Sequence, residues 1–183
     1  KTFFIAVLLA LRQPQGAVFV GTFGALAIMT LISVGLGEVL HLADEGLHDI
    51  LPPALADLPL DDYAAIALLV FFGISTIASA GGASATATEE KEEAEEEVTK
   101  LTSGIISDGT ILPLIASTFF LVFAAEWGDK SFLATIALAA SASPLGVVAG
   151  AVAGHGVATG IAVAGGGILG EYVSEQVVAY VGG

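Results

Sequence analysis

One stretch limits what this chain can fold into. Phe119 to Leu138 is apolar except for Glu126, Asp129 and Lys130, which fall together in its middle. At ~1.5 Å of rise per residue, each apolar flank is about half a bilayer long, so in a spanning segment the charges fall near the midplane. A central Asp or Lys there costs about 2.5–3.5 kcal/mol on insertion scales. Charges kept at that cost usually mark an ion or proton pathway.

The rest of the chain suits a membrane. It is 55% hydrophobic with a mean hydropathy of +0.88, and its apolar residues come in long blocks rather than at amphipathic spacing. The fold class expected is all-α, a polytopic helical membrane protein. A net charge of −14 argues against nucleic acid as a partner. The absence of Cys excludes disulfides, iron–sulfur clusters and thiolate zinc sites. No nucleophile–base constellation stands out, so an enzyme is not expected. The chain does not begin with Met and shows no targeting segment, which suggests a processed or incomplete piece.

Lys1 to Arg12 reads as the second half of a spanning helix, followed by a Pro14–Gly16 turn. Ala17 to Gly37 carries no charge and suits one full span, ended by Glu38. His41 to Leu51 is amphipathic, as expected of an interfacial segment. Its His41, Asp44, Glu45 and His48 share a helical face, more as a solvated polar face than as a metal site. Pro52, Pro53 and Pro59 mark a loop. Tyr63 to about Ala80 is another span, drifting into a small-residue linker. The acidic run from Glu89 to Glu97 reads as a solvated, mobile linker. Ile111 to about Ala142 carries the charged motif as one segment. Gly146 to Gly170 is the next span. Its Gly146, Gly150 and Gly154, and then Gly156 and Gly160, are spaced for close helix packing in lipid. His155 reads as a hydrogen-bonded packing residue. Glu171 to Gly183 begins a further helix.

The two halves resemble each other at an offset of 129. Lys1-Thr2-Phe3-Phe4 matches Lys130-Ser131-Phe132-Leu133, Leu9-Ala10 matches Leu138-Ala139, Gly21 matches Gly150 and Thr30 matches Thr159. The expected organisation is a first transmembrane repeat over 1–80, an acidic linker over 81–109 and a second repeat over 110–183. Paired repeats are how many secondary transporters build a site near the midplane. The second copy has Glu126-x-Gly128-Asp129 before its Lys-Ser pair. The first copy starts at its Lys-Thr, so its counterpart acids are expected to be cut off.

Glu126 and Asp129 are three apart, which on a continuous helix puts both on one face. Carboxylates and hydroxyls are hard oxygen ligands that suit calcium, manganese or magnesium. Ser131 and Thr2 could add hydroxyl oxygens, while Lys130 and Lys1 would support the site or its proton coupling. Apolar burial favours a protonated carboxyl, and a second carboxyl nearby favours it further. A divalent cation needs the charged form and displaces the proton. Mutually exclusive binding of this kind is the physical basis of cation/proton exchange. A buried ion pair locking helices together would account for Asp129 with Lys130, but it leaves Glu126 over.

Glu126-Trp127-Gly128-Asp129-Lys130-Ser131 resembles the E-x-G-D-K-[ST] signature of the small cation/proton exchangers of Golgi, chloroplast and cyanobacterial membranes. Lys1-Thr2-Phe3-Phe4 looks like the tail of a first copy. Gly21 to Leu26 with Met29-Thr30, Ser117 to Ser131, and Ser143 to Gly146 with Ala153 to Gly156 look most like the chloroplast branch of manganese transporters. The resemblance implies six transmembrane helices in two inverted three-helix repeats, the first and last incomplete here. It implies manganese, and with it calcium, as transported substrate exchanged against protons, with no permanently bound cofactor. It places the protein in the chloroplast thylakoid or inner envelope membrane. Its partners would be divalent cations, protons and the lipid bilayer, with a homodimer or association with a photosynthetic complex beyond these. A non-transporting subunit or assembly factor of such a complex is the alternative function.

Overall fold

The computed structural model describes residues 1–48, 60–79, 89, 91–100 and 110–172. Among them the regular structure is helical, as the composition demands. In chain order the helices are α1 (Thr2–Arg12), α2 (Gln15–His48), α3 (Leu60–Ser79), α4 (91–100), α5 (Ile111–Glu126), α6 (Lys130–Ser141) and α7 (Pro144–Tyr172). By length and composition, α2 over Gln15–Ala43 and α7 over Pro144–Gly166 can each cross a membrane. The bent pair α5 and α6 makes a third if taken as one span.

Proline sets two of the helix boundaries. The residue before a proline is pushed out of the helical region, and α1 ends on Gln13, which is extended and precedes Pro14. The Pro14 carbonyl then accepts the Ala17 and Val18 N–H groups as α2 begins. At the second site Ala142 is the extended cap of α6 and Pro144 opens α7, a position where its missing N–H costs nothing. Gln13 N–H donates to the Leu9 carbonyl and Ala142 N–H to that of Leu138, each at 2.9 Å. The two caps and the two acceptors are both 129 apart, the register of the sequence repeat.

The structure revises the expected span ending at Glu38. No proline or glycine interrupts Glu38 to Glu45, so α2 continues as one 34-residue helix, about 51 Å long at 1.5 Å per residue. Of the His41 cluster, His41 is half-buried, and the side chains of Asp44, Glu45 and His48 lie outside the described residues. The Pro52–Pro59 loop, the 80–88 linker and the segment beyond Tyr172 lie outside them too.

The chain divides into two compact units. The first takes Lys1–Leu26, Ser84–Ala125 and Gly154–Gly183. Its core holds Ile5, Leu9, Val18, Ala94, Val122 and Ala162. Two stacked ring pairs, Phe19 with Phe23 and Phe119 with Phe123, flank it. Helix backbones meet closely at two glycines. A Cβ on Gly21 would stand 2.8 Å from the Ile115 carbonyl oxygen, and one on Gly166 would stand 2.5 Å from that of Val7. Gly156 and Gly160 face Phe23 and Phe19. Gly150 and Gly154, expected at a helix crossing, meet nothing within 4 Å among the described residues.

Thr22 and Thr118 are buried in this unit with their hydroxyls unpaired among the described residues. An unmade buried hydrogen bond costs about 1–3 kcal/mol, whereas an apolar group of the same shape carries no such penalty. Thr22→Val with Thr118→Val is therefore expected to leave thermal unfolding in detergent unchanged or move it upward. A drop of several degrees would show that the hydroxyls are paired.

The second unit takes Ala27–Ala83 and Glu126–Ala153. Here α3 packs along α6, and Val34, Ala139 and Val147 form the buried cluster. Ser33, buried on α2, donates its hydroxyl to the Met29 carbonyl at 2.9 Å. Gly37 lets α2 lie against α6: a Cβ there would stand 2.6 Å from the Ile136 carbonyl oxygen and 2.7 Å from Ala139 Cβ.

Candidate cation site

The acidic motif sits where an apolar helix breaks. The buried positions of α5 are Leu114, Thr118 and Val122, four apart. Glu126 is next in that register, half-buried and last in the helix. Gly128 then takes φ +77°, a left-handed conformation that costs residues with a Cβ roughly 1–2 kcal/mol. The Asp129 N–H reaches back to the Glu126 carbonyl at 3.2 Å, and the chain turns by 75° into α6.

Asp129 starts the new helix. It is the N-cap of α6, and its Oδ1 accepts the Ser131 N–H, the Phe132 N–H at 3.0 Å and the Ser131 hydroxyl at 2.7 Å. No hydrogen bond from a described residue reaches Oδ2. Trp127 and Phe132 stack across the break, with ring centroids 5.6 Å apart. Thr135 donates its hydroxyl to the Ser131 carbonyl at 2.8 Å. Lys130, the first residue of α6, is exposed.

This geometry overturns the argument that one helical face carries both acids. Glu126 ends one helix and Asp129 caps the next, because Gly128 breaks the ladder between them. Glu126, Asp129, Lys130 and Ser131 still fall within six consecutive residues. Thr2 and Lys1 belong to the other unit, where Thr2 is buried. Among the described residues no three His, Cys, Asp or Glu side chains gather as a metal cluster. The motif contributes two carboxylates, Glu126 half-buried and Asp129 exposed, and a hard cation held there would need hydroxyl, carbonyl or water oxygens to complete its shell. His155 on α7 is half-buried and has no hydrogen-bond partner among the described residues.

Capping and charge can be separated at Asp129. Asparagine caps a helix about as well as aspartate, while alanine forfeits about 1 kcal/mol. Asp129→Asn should melt like the parent, and Asp129→Ala should melt lower. If the charge serves a cation, both should lose cation transport alike. Transport that survives in Asp129→Asn and falls only in Asp129→Ala would reduce the residue to a cap.

The acidic run contains a feature that its composition hides. Instead of a solvated linker, residues 91–100 form α4. Lys91 pairs with Glu95 at 3.5 Å and Lys100 with Glu96 at 2.6 Å, both one turn apart, which offsets the like-charge repulsion. Lys100 also holds the Glu96 carboxyl below the ordinary carboxylate range. Its buried Ala94 and its Val98 pack with the first unit's core. Glu97 and Glu93 grip the Lys1 ammonium at 2.7 and 3.3 Å.

Two carboxylates at a break between apolar helices of an α-helical membrane protein are a pattern found among proteins that handle ions within the bilayer. Comparison with known proteins makes the class specific. Residues 1–84 and 114–183 match the family described as divalent cation/proton antiporter GDT1, and the chain belongs to that family. The family is one of transporters, not enzymes. Protein PAM71, chloroplastic, of Arabidopsis thaliana is 56% identical over 188 residues, covering 100% of this chain and 49% of that protein. GDT1-like protein 1, chloroplastic, of Oryza sativa subsp. japonica is 54% identical over 189 residues, covering 100% and 53%. PAM71-homolog, chloroplastic, of Arabidopsis thaliana is 43% identical over 193 residues, covering 100% and 51%. The chain thus spans about half the length of the curated relatives it matches. No solved structure matches it.

Proposed function

We propose that the full protein carries divalent cations, manganese and with it calcium, across a chloroplast thylakoid or inner envelope membrane in exchange for protons. The observation that carries this reading is the placing of Glu126 and Asp129 at the break between two apolar helices. Such acids bind either protons or a divalent cation, and the two occupancies exclude each other. Hard oxygen ligands suit manganese and calcium. Ser131 steadies Asp129 and could lend its hydroxyl. Lys130 would stabilise the emptied acids, and Thr2 and Lys1 would do the corresponding work in the first repeat. The chloroplastic relatives support the location.

The same reading takes 1–80 and 110–183 as inverted repeats of a six-helix carrier joined by 81–109. The matching caps at Gln13 and Ala142 support that register. The test is manganese and calcium flux into proteoliposomes bearing the full-length protein under an imposed pH gradient. Flux that reverses with the gradient is expected. A correctly inserted protein that moves neither cation under either gradient would replace this reading with that of a non-transporting subunit.

A further inference from the structure

We propose that α4 is a reversible, autoinhibitory latch on the first unit, docked through Ala94 and held by the grip of Glu93 and Glu97 on Lys1. This rests on the transport reading above and adds a control to it. The family match leaves out residues 85–113, so α4 lies outside what the family membership assigns.

Three observations carry the latch. Glu93, Ala94, Glu97 and Val98 share one face of α4, with Ala94 buried, Glu97 and Val98 half-buried and Glu93 exposed at its edge, while Glu92 and Glu96 on the opposite side are exposed. That inward face meets both the apolar core, through the fully buried Ala94, and the Lys1 ammonium. Lys1 stands in the repeat position of Lys130, and its carbonyl accepts the Ile5 N–H at 3.1 Å in the first turn of α1. A docked α4 therefore engages the lysine that would otherwise serve the motif tail.

The docking is also poised to open. The Lys1–Glu93 and Lys1–Glu97 pairs are partly exposed, so water and salt weaken them. The second oxygen of Glu97, Oε2, is buried without a partner among the described residues, a penalty present only while α4 is docked. An element held by weak, screened contacts against such a penalty belongs to the least stable part of a fold, from which switches are drawn.

The chain has no cysteine, so docking can be read directly from Ala94→Cys in the full-length protein. In proteoliposomes, maleimide labelling of that thiol should be slow, and raising KCl should speed it. Adding Glu93→Gln and Glu97→Gln should speed it at least tenfold and raise manganese flux two- to fivefold. Glu92→Gln with Glu96→Gln removes the same charge from the outer face and should change neither. Labelling unmoved by Glu93→Gln with Glu97→Gln would overturn the docking. Faster labelling with unchanged or lower flux would overturn the restraint. If the parent moves no manganese, the transport reading falls and the restraint with it, while labelling still reports whether α4 docks.

Discussion

Replacing Glu126 with glutamine is expected to abolish manganese uptake driven by a pH gradient. Glutamine keeps the volume and one carbonyl oxygen but can neither carry the charge nor exchange the proton. Loss of an outer-shell partner of a metal site costs about 10–100-fold, and loss of a direct carboxylate ligand should cost more. Any residual flux in Glu126→Gln should respond less steeply to pH than the parent's, because one of the two acids proposed to exchange protons for the cation is gone. In the parent, acidifying the side from which the cation is taken up should weaken apparent cation affinity, since protons compete for the charged carboxyl. Proteoliposome flux at several pH values, beside a melt showing that the variant is folded, checks both statements. A folded Glu126→Gln with parental flux and parental pH response would remove Glu126 from the site.

Gly37→Val should unfold the protein more readily than any single change at an open glycine. A Cβ at Gly37 would press on the Ile136 carbonyl oxygen at 2.6 Å and on Ala139 Cβ at 2.7 Å. Neither atom is the loose end of a long side chain, so α2 and α6 themselves would have to part. Overpacking of this kind costs typically 1–3 kcal/mol, and two further methyl groups against backbone put this case near about 3 kcal/mol. The consequence reaches the motif, because α6 begins at the Asp129 cap and would carry it along. Gly35→Ala adds a methyl where nothing stands within 4 Å and should be neutral or stabilise by up to about 1 kcal/mol. Parallel melts in detergent would show the contrast, and equal melting of the two variants would refute the close approach at Gly37.

The helical class, the helix ends near Pro14 and Pro144, and the acids of the motif could all be read from residues alone. Each depends on local chemistry: apolar run length, the proline ring, and the cost of charge in lipid. The geometry of the site could not be read so directly. Periodicity carried the helix through Glu126 and Asp129, while Gly128 followed by Asp129 was a stop signal next to a start signal. The apolar run on either side outweighed that pair. Glu38 looks like a helix end because it is charged, yet a charge alone does not break a hydrogen-bond ladder. The acidic run misled for the opposite reason. Its composition is that of a solvated chain, and the docking depends on Ala94 and on a lysine far away in sequence. Close approach was legible as glycine spacing, but not which glycines would be used: Gly21, Gly37 and Gly166 meet backbone, and Gly150 does not.

The cap at Asp129 has a kinetic corollary. With Oδ1 committed to three donors, Asp129 would have one oxygen left for an arriving ion under the proposed function. A one-toothed carboxylate holds less firmly than a two-toothed clamp, and solvent must fill the coordination positions it leaves vacant. For a storage protein that would be a defect. For a carrier it is an advantage, because turnover is limited by letting go as much as by capture, and a grip half-spent on the helix behind it is quick to open.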